Sequence, residues 1–257
     1  MTRFTTEITS DQLVSDNPIH QRLLKAYYVA KEHIQGDLLE LGCGEGRGIE
    51  IIKPLCNRYV ALDKIAEVIN ELKEKYPDVV FRQSIFPPLV DLSDDGFDTI
   101  VSFQVIEHIE NDGLFLKEIF RVLKPGGKAL ITTPNRPKSL TRNPWHIREY
   151  TENELYKLAK SIFPKVEMVG ISGNQKVMTY YEQNKKSVEK IMRWDILDLQ
   201  HRLPASVLKI PYDLLNRFNR NKLGNHNSNL VKNITHQDYL VTSQVKDSLD
   251  LFCILQK

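Results

Sequence analysis

The chain has 257 residues, 41% of them hydrophobic, which suits one large domain or one domain carrying a substantial insertion. A net charge of +2 leaves no overall signature of a polyanion binder. Three cysteines without paired spacing suggest neither a zinc site nor a disulfide framework, no apolar run approaches the ~20 residues that cross a bilayer, and the first residues lack the apolar core of a secretion signal, so the expectation is a cytoplasmic protein.

Residues 1–17 are polar and read as irregular. Leu23, Leu24, Tyr27, Tyr28 and Ala30 form a helical stripe that predicts a helix over 18–35. The apolar run at 37–41 has the shape of a buried strand. Further strands are predicted at 58–62, 78–82, 97–103 and 127–133, with helices at 46–54, 65–75 and 111–123. Pro125-Gly126-Gly127 reads as a turn that ends one helix and opens the next strand. Thr151 and Glu154 make a capping-box pattern for a helix at 151–161, and a strand near 165–172 follows. This alternation predicts an α/β fold, a doubly wound, mostly parallel sheet covered on both faces.

Residues 175–245 depart from that alternation. Val188, Met192, Ile196 and Leu199 form an amphipathic helical stripe that Pro204 ends, and Pro211 can open a second short helix with Leu214, Leu215 and Phe218. Residues 175–232 hold eleven Lys or Arg against five Asp or Glu. This basic excess reads either as a solvated helical face or as attraction for an anionic substrate, nucleic acid or membrane surface. One more strand is predicted at 248–255, giving seven in all. The division is therefore a domain of residues 1–174 plus 246–257, and a helical insertion at 175–245 that is expected to act as a substrate lid.

The most informative stretch is Leu38-Leu-Glu-Leu-Gly-Cys-Gly-Glu-Gly-Arg-Gly48, followed by Asp63 at the end of the next apolar run. Glycines after a strand permit a tight turn and close backbone approach, and an acid about 20 residues on suits ribose hydroxyls. A dinucleotide fingerprint would need glycine where Arg47 stands, and a pyrophosphate gains nothing from Glu40, which disfavours an NAD-dependent reductase. An ammonium or sulfonium ligand would gain from it.

With Val60-Ala61-Leu62-Asp63, Phe97–Ser102, Val105–His108 and Leu123–Gly127 in order, the chain resembles class I S-adenosylmethionine (SAM) dependent methyltransferases. The resemblance implies a Rossmann-like sheet whose last strand returns antiparallel. It implies SAM as cofactor and S-adenosylhomocysteine as product. It assigns cofactor contacts to Glu40, Gly42, Cys43, Gly44, Asp63, Lys64, Ser84, Ile85 and Gln104. The family's usual acid for the adenine amino group is missing from Phe81–Phe86.

Glu107, His108 and His146 are the candidate catalytic residues, with Arg148 and Tyr150 as candidate substrate contacts. A histidine suits proton removal from an acceptor hydroxyl near neutral pH. Gln104-Val-Ile-Glu-His108 also resembles the Glu-x-x-Glu-His of metal-dependent methyltransferases, with Gln104 a poorer ligand for a hard cation than a glutamate, so no metal is expected. Glu107-His108 can equally be a helix start that packs locally. The acceptor expected is oxygen of a small molecule or glycan. The rival readings are a metal-assisted RNA 2′-O-methyltransferase and a SAM-binding scaffold protein without turnover.

Overall fold

The computed structural model describes residues 13–257 apart from 196 and 227, so most of the irregular start expected at 1–17, and Ile196 of the apolar stripe, lie outside the described residues. Five strands run parallel: β1 (Asp37–Leu41), β2 (Arg58–Asp63), β3 (Val80–Gln83), β4 (Phe97–Phe103) and β5 (Leu123–Pro134). β6 (Lys165–Gly173), β7 (Tyr239–Thr242) and β8 (Asp250–Gln256) complete one sheet in the order β3-β2-β1-β4-β5-β8-β6-β7. β8 lies antiparallel to both β5 and β6, and β7 antiparallel to β6.

Helices α1 (Asn17–Ala30), α2 (Ile49–Ile52), α3 (Ala66–Lys75), α4 (Asp112–Val122) and α5 (Glu152–Lys160) accompany the sheet. Their ends follow local chemistry. The Asn111 side chain accepts from Leu114 N–H at 2.9 Å to start α4, and Thr151 with Glu154 forms the expected capping box on α5. The strands read as nearly unbroken apolar runs because both faces are covered. Leu38, Tyr59 and Phe103 pack on one face with Tyr27, Ile49, Ile69 and Leu72. Leu39, Leu41, Val60 and Ile100 pack on the other with Phe115, Ile119 and Leu155.

The doubly wound expectation stands, with one strand more than the seven expected. β7 lies in the segment read as wholly helical. It is a four-residue edge strand with Leu240 and Val241 half-exposed, too short for a two-residue alternation to register. The remainder of that segment carries α6 (Gln175–Met192), α7 (Leu199–Arg202), α8 (Ala205–His226) and α9 (Ser228–Asn233); α6 ends at Met192 rather than at Pro204, so Leu199 of the predicted stripe lies on α7. Pro204 precedes α8, but Pro211 lies inside it rather than opening a new helix. Its missing N–H and ring clash are local costs. The 22-residue helix continues through them, with Arg217, Asn219 and Arg220 beyond the proline bonded to other elements. Pro125-Gly126-Gly127 is another correction: β5 already begins at Leu123, and the ladder shifts register between Phe97 and Thr99, so residues 124–127 form an irregularity within the strand.

Candidate active site

The first pocket forms at the C-terminal ends of β1 and β2. Gly42 N–H and Cys43 N–H both donate to Leu62 O, at 2.8 and 3.1 Å, which folds the glycine turn back over β2. Gly42 has φ +81°, and a Cβ there would lie 2.4 Å from Val105 Cγ2. A Cβ on Gly44 would meet nothing within 4 Å, so that backbone faces open space. Gly44 N–H donates to Asp63 Oδ2 at 2.9 Å and Ile65 N–H to Asp63 Oδ1 at 3.0 Å. Each carboxylate oxygen has two lone pairs, so each keeps one for a vicinal diol. The pocket holds about 290 Å³ and is lined by Gly42, Cys43, Gly44, Asp63, Lys64, Ser84, Ile85 and Gln104, among others.

Eight of the nine residues expected to meet the cofactor thus line one space; the exception is Glu40. It lies beneath the turn, wholly buried, and accepts hydrogen bonds from Tyr27 (2.7 Å) and Tyr59. Burial raises its pKa against the opposing pull of those two phenols. Glu40 therefore ties α1 and β2 to the strand that carries the glycine turn. The buried Cys43 thiol is pushed far up by desolvation and by Glu40, so it is no nucleophile. Phe86, next to Ile85, stacks near Phe115 with centroids 5.8 Å apart and adds an apolar wall.

A second cavity of about 260 Å³ adjoins the first. Leu23, Gln104 and His108 line both, so the two spaces border each other at these residues. Gln104 is held there by its own backbone: it has φ +59° and donates its N–H to Thr132 O at 2.9 Å. Much of the remaining wall is polar, including Arg22, Lys138, Asn143, Asn184, Asn216 and Tyr212.

Glu107, His108 and His146 come together at this cavity, and their candidate ligand atoms all lie within 4.8 Å of one another. His108 Nδ1 is 2.9 Å from Trp145 O, which can only accept, so Nδ1 carries the proton and Nε2 the lone pair. His146 Nδ1 is 2.6 Å from Glu149 Oε1, while Asn143 Nδ2 donates to His146 Nε2 at 2.8 Å. His108 thus carries its lone pair on Nε2, whereas the Nε2 lone pair of His146 already accepts from Asn143. The two imidazole rings meet edge to face at 4.9 Å. Burial raises the Glu107 carboxyl to about 7, against the pull of His146 and the Thr133 hydroxyl 3.0 Å away. Glu107 O also accepts Ile147 N–H at 2.8 Å, which joins the loops after β4 and β5.

Arg148 and Tyr150 do not line this cavity. Arg148 pairs with Asp112, and the Tyr150 hydroxyl donates to the same carboxylate at 2.8 Å, so both anchor the start of α4. Sequence reasoning missed Arg22, Lys138, Glu149, Tyr212 and Arg220. Glu149 stood in the stretch Asn143–Tyr150 and Tyr212 and Arg220 in the basic segment 175–232, but none was singled out as a site residue. Arg22 and Lys138 come from α1 and the loop after β5, and nothing local marks them. Arg22 is held by Asp250 at 3.2 Å. Arg217 and Arg220 of α8 both reach the buried Asp16, at 2.9 and 3.2 Å. Trp145 Nε1 donates to Asp213 at 3.1 Å, and Lys209 lies 4.0 Å over its ring, which fastens α8 to the loop after β5.

A Rossmann-like sheet with a glycine turn, an acid at the end of the second strand and a second cavity at the same edge is similar to the arrangement of class I SAM-dependent methyltransferases, and the known relatives support that class. The family model for a methyltransferase domain matches residues 39–131. A probable SAM-dependent methyltransferase of Mycolicibacterium smegmatis is 38% identical over 136 residues, covering 51% of this chain and 52% of that protein. A mitochondrial ubiquinone biosynthesis O-methyltransferase of Mus musculus is 34% identical over 106 residues, covering 38% of this chain and 29% of that protein. The chain therefore spans about half the length of the first of these relatives and less of the second. The solved structure of a possible histamine N-methyltransferase from Thermotoga maritima overlays with a TM-score of 0.58 at 14% identity, covering 93% of this chain and 91% of that one. At that identity the likeness shows the fold. SAM is the cofactor of the class, and the residues present fit it: Asp63 has spare lone pairs for a ribose diol, and Gly44 presents open backbone.

Proposed function

We propose that this chain transfers the methyl group of SAM to a hydroxyl oxygen of a polar small molecule or saccharide, with His108 as the general base. The observation that carries this is the placing of His108 on both the cofactor pocket and the acceptor cavity, with its Nδ1–H committed to Trp145 O. SAM supplies an already activated methyl, so the protein's task is alignment plus removal of one proton. His108 Nε2 would accept the hydroxyl proton as the oxygen–methyl bond forms and the methyl–sulfur bond breaks, with S-adenosylhomocysteine as the leaving group. Gln104 stands at the border of the two spaces. The His146–Glu149 pair, fixed further by Ser139, holds the second imidazole beside the first. The polar wall offers amide, guanidinium and phenol partners for several hydroxyls, which suits a polyol. The name of the murine relative, an O-methyltransferase, supports oxygen as the acceptor atom.

The test begins with calorimetric titration of SAM and S-adenosylhomocysteine, with Asp63→Ala as control. Labelled methyl transfer to a panel of hydroxylated acceptors follows. Micromolar cofactor binding and turnover that fails in His108→Ala would support the reading. No cofactor binding by folded protein would sink it.

The closeness of Glu107, His108 and His146 favours a second reading, in which a divalent cation polarises the acceptor oxygen. The Nδ1–H groups of both histidines are held by Trp145 O and Glu149, the outer arrangement that orients imidazole ligands, and the Asn143 amide would have to turn away from His146 Nε2 for that nitrogen to bind a cation. Full turnover in excess chelator would remove this reading.

A further inference from the structure

Helices α6, α7 and α8 enclose a third space of about 740 Å³. Its wall is largely aliphatic and aromatic, with Ile191, Met192, Leu203, Leu208, Leu215 and Phe218. It meets the acceptor cavity at Thr141, Val188, Tyr212 and Asn216, which line both spaces. Several of its apolar groups face outward: Trp194 is 86% exposed, Phe218 64% and Leu215 49%. Apolar groups gathered around a concavity and rimmed by polar ones are a candidate binding site.

We propose that this groove holds the aliphatic chain of an amphiphilic acceptor whose hydroxylated head lies in the acceptor cavity. The inference rests on the methyltransferase reading and adds a substrate class to it. The argument is the order of chemistry along the adjoining spaces. The cofactor pocket comes first, then a polar cavity with the imidazoles, then an apolar groove. A single ligand that fills the last two must be polar at the end to be methylated and apolar beyond it. A second copy of this chain would cover the groove without using its join to the polar cavity. A flat membrane surface would meet the outward groups but would not enter the concavity. The basic groups Arg142, Lys190 and Lys222 line the groove too and suit a polar or acidic junction between head and tail.

The probes are hexyl, heptyl, octyl and nonyl β-glucoside, each below its micellar concentration. They are titrated calorimetrically into the full chain saturated with S-adenosylhomocysteine. Each buried methylene is worth roughly threefold to fourfold in affinity, so wild-type protein should tighten by about that factor per carbon. Phe218→Glu and Leu215→Glu place a charge on side chains that are already half exposed, so they should fold. Both should flatten the dependence on chain length, while S-adenosylhomocysteine affinity stays unchanged. Val90→Glu, at an exposed apolar site elsewhere, should leave the dependence intact. Affinity independent of chain length in wild-type protein that binds S-adenosylhomocysteine would overturn the groove and leave the methyltransferase reading standing. A flat series together with binding to phosphatidylglycerol vesicles, or with a doubled mass in light scattering, would also overturn it, in favour of a membrane surface or a second copy. Loss of S-adenosylhomocysteine binding itself would instead count against the parent reading.

Discussion

The cofactor pocket and the acceptor cavity touch at three residues, yet they are built in opposite ways. The pocket's key contacts are backbone-directed and local: glycines 42 and 44, and Asp63 fixed by two N–H groups. Most of its other lining follows the ends of β1 to β4. The acceptor cavity is a meeting of side chains from α1, two loops, α6, α8 and the β7–β8 region. Its charges are compensated across long stretches of sequence, as with Asp16 and Arg220 or Arg22 and Asp250. A pocket set by strand ends tolerates change elsewhere in the chain. A cavity assembled from distant pairs depends on every one of them.

Four measurements would break or sharpen that contrast. His108→Ala should lower kcat by about 10²–10⁴ at saturating acceptor, the usual worth of a positioned base, with cofactor affinity within a few-fold of wild type. An undiminished rate would remove His108 from the chemistry. Asp250→Asn should leave Arg22 without its counter-charge and destabilise the fold by about 3 kcal/mol, seen as a lower urea midpoint. An unmoved midpoint would show that the cavity's long-range pairs are not what holds it. Asp63→Ala should weaken SAM and S-adenosylhomocysteine by roughly 30- to 150-fold, the worth of about 2–3 kcal/mol in charge-assisted hydrogen bonds, and should cost about 1–3 kcal/mol of stability because Gly44 and Ile65 N–H lose their acceptor. Weakening of less than threefold would mean the ribose lies elsewhere.

The smallest effect concerns Asp238, at the turn between α9 and β7. Burial pushes its carboxyl up, but Lys176, Thr235 N–H and Asn174 outweigh that and hold it at about 2. Its folded pKa is thus below the unfolded value near ~3.9, so its contribution is complete above that pH and is lost as pH falls towards about 2. Asp238→Asn should flatten the acid limb of the stability profile by under about 1 kcal/mol, since Lys176 is over a third exposed. An unchanged acid limb would place the pH sensitivity elsewhere.

The same contrast explains what could be read from the sequence. β1 and β4 were legible to the residue because a strand buried on both faces writes itself as Leu38–Leu41 or Phe97–Phe103. The glycine turn and Asp63 were legible because their role is a backbone role at fixed spacing. Glu40 looked like a ligand contact, but it lies buried beneath the turn against Tyr27 and Tyr59 and does not line the pocket, a placement no local pattern shows. Arg148 and Tyr150 looked like substrate contacts because they follow β5, and the shared Asp112 that claims them lies 36 and 38 positions earlier in the sequence. β7 was hidden because four residues at a sheet edge carry too little periodicity. Tyr212 and Arg220 were hidden because a helix's sequence shows which face is apolar, not what stands opposite.

The pocket's lining residues all fall between Leu23 and Ile109, whereas those of the acceptor cavity extend to Leu249. During synthesis at about 5–20 residues per second, the last wall of the cavity leaves the ribosome roughly 7–28 s after the last wall of the pocket. Every lining residue of the first pocket is therefore synthesised before most of the second cavity's wall. The acceptor cavity's wall, by contrast, is complete only once α8 and the segment leading into β8 have been made and Asp16 has met its arginines.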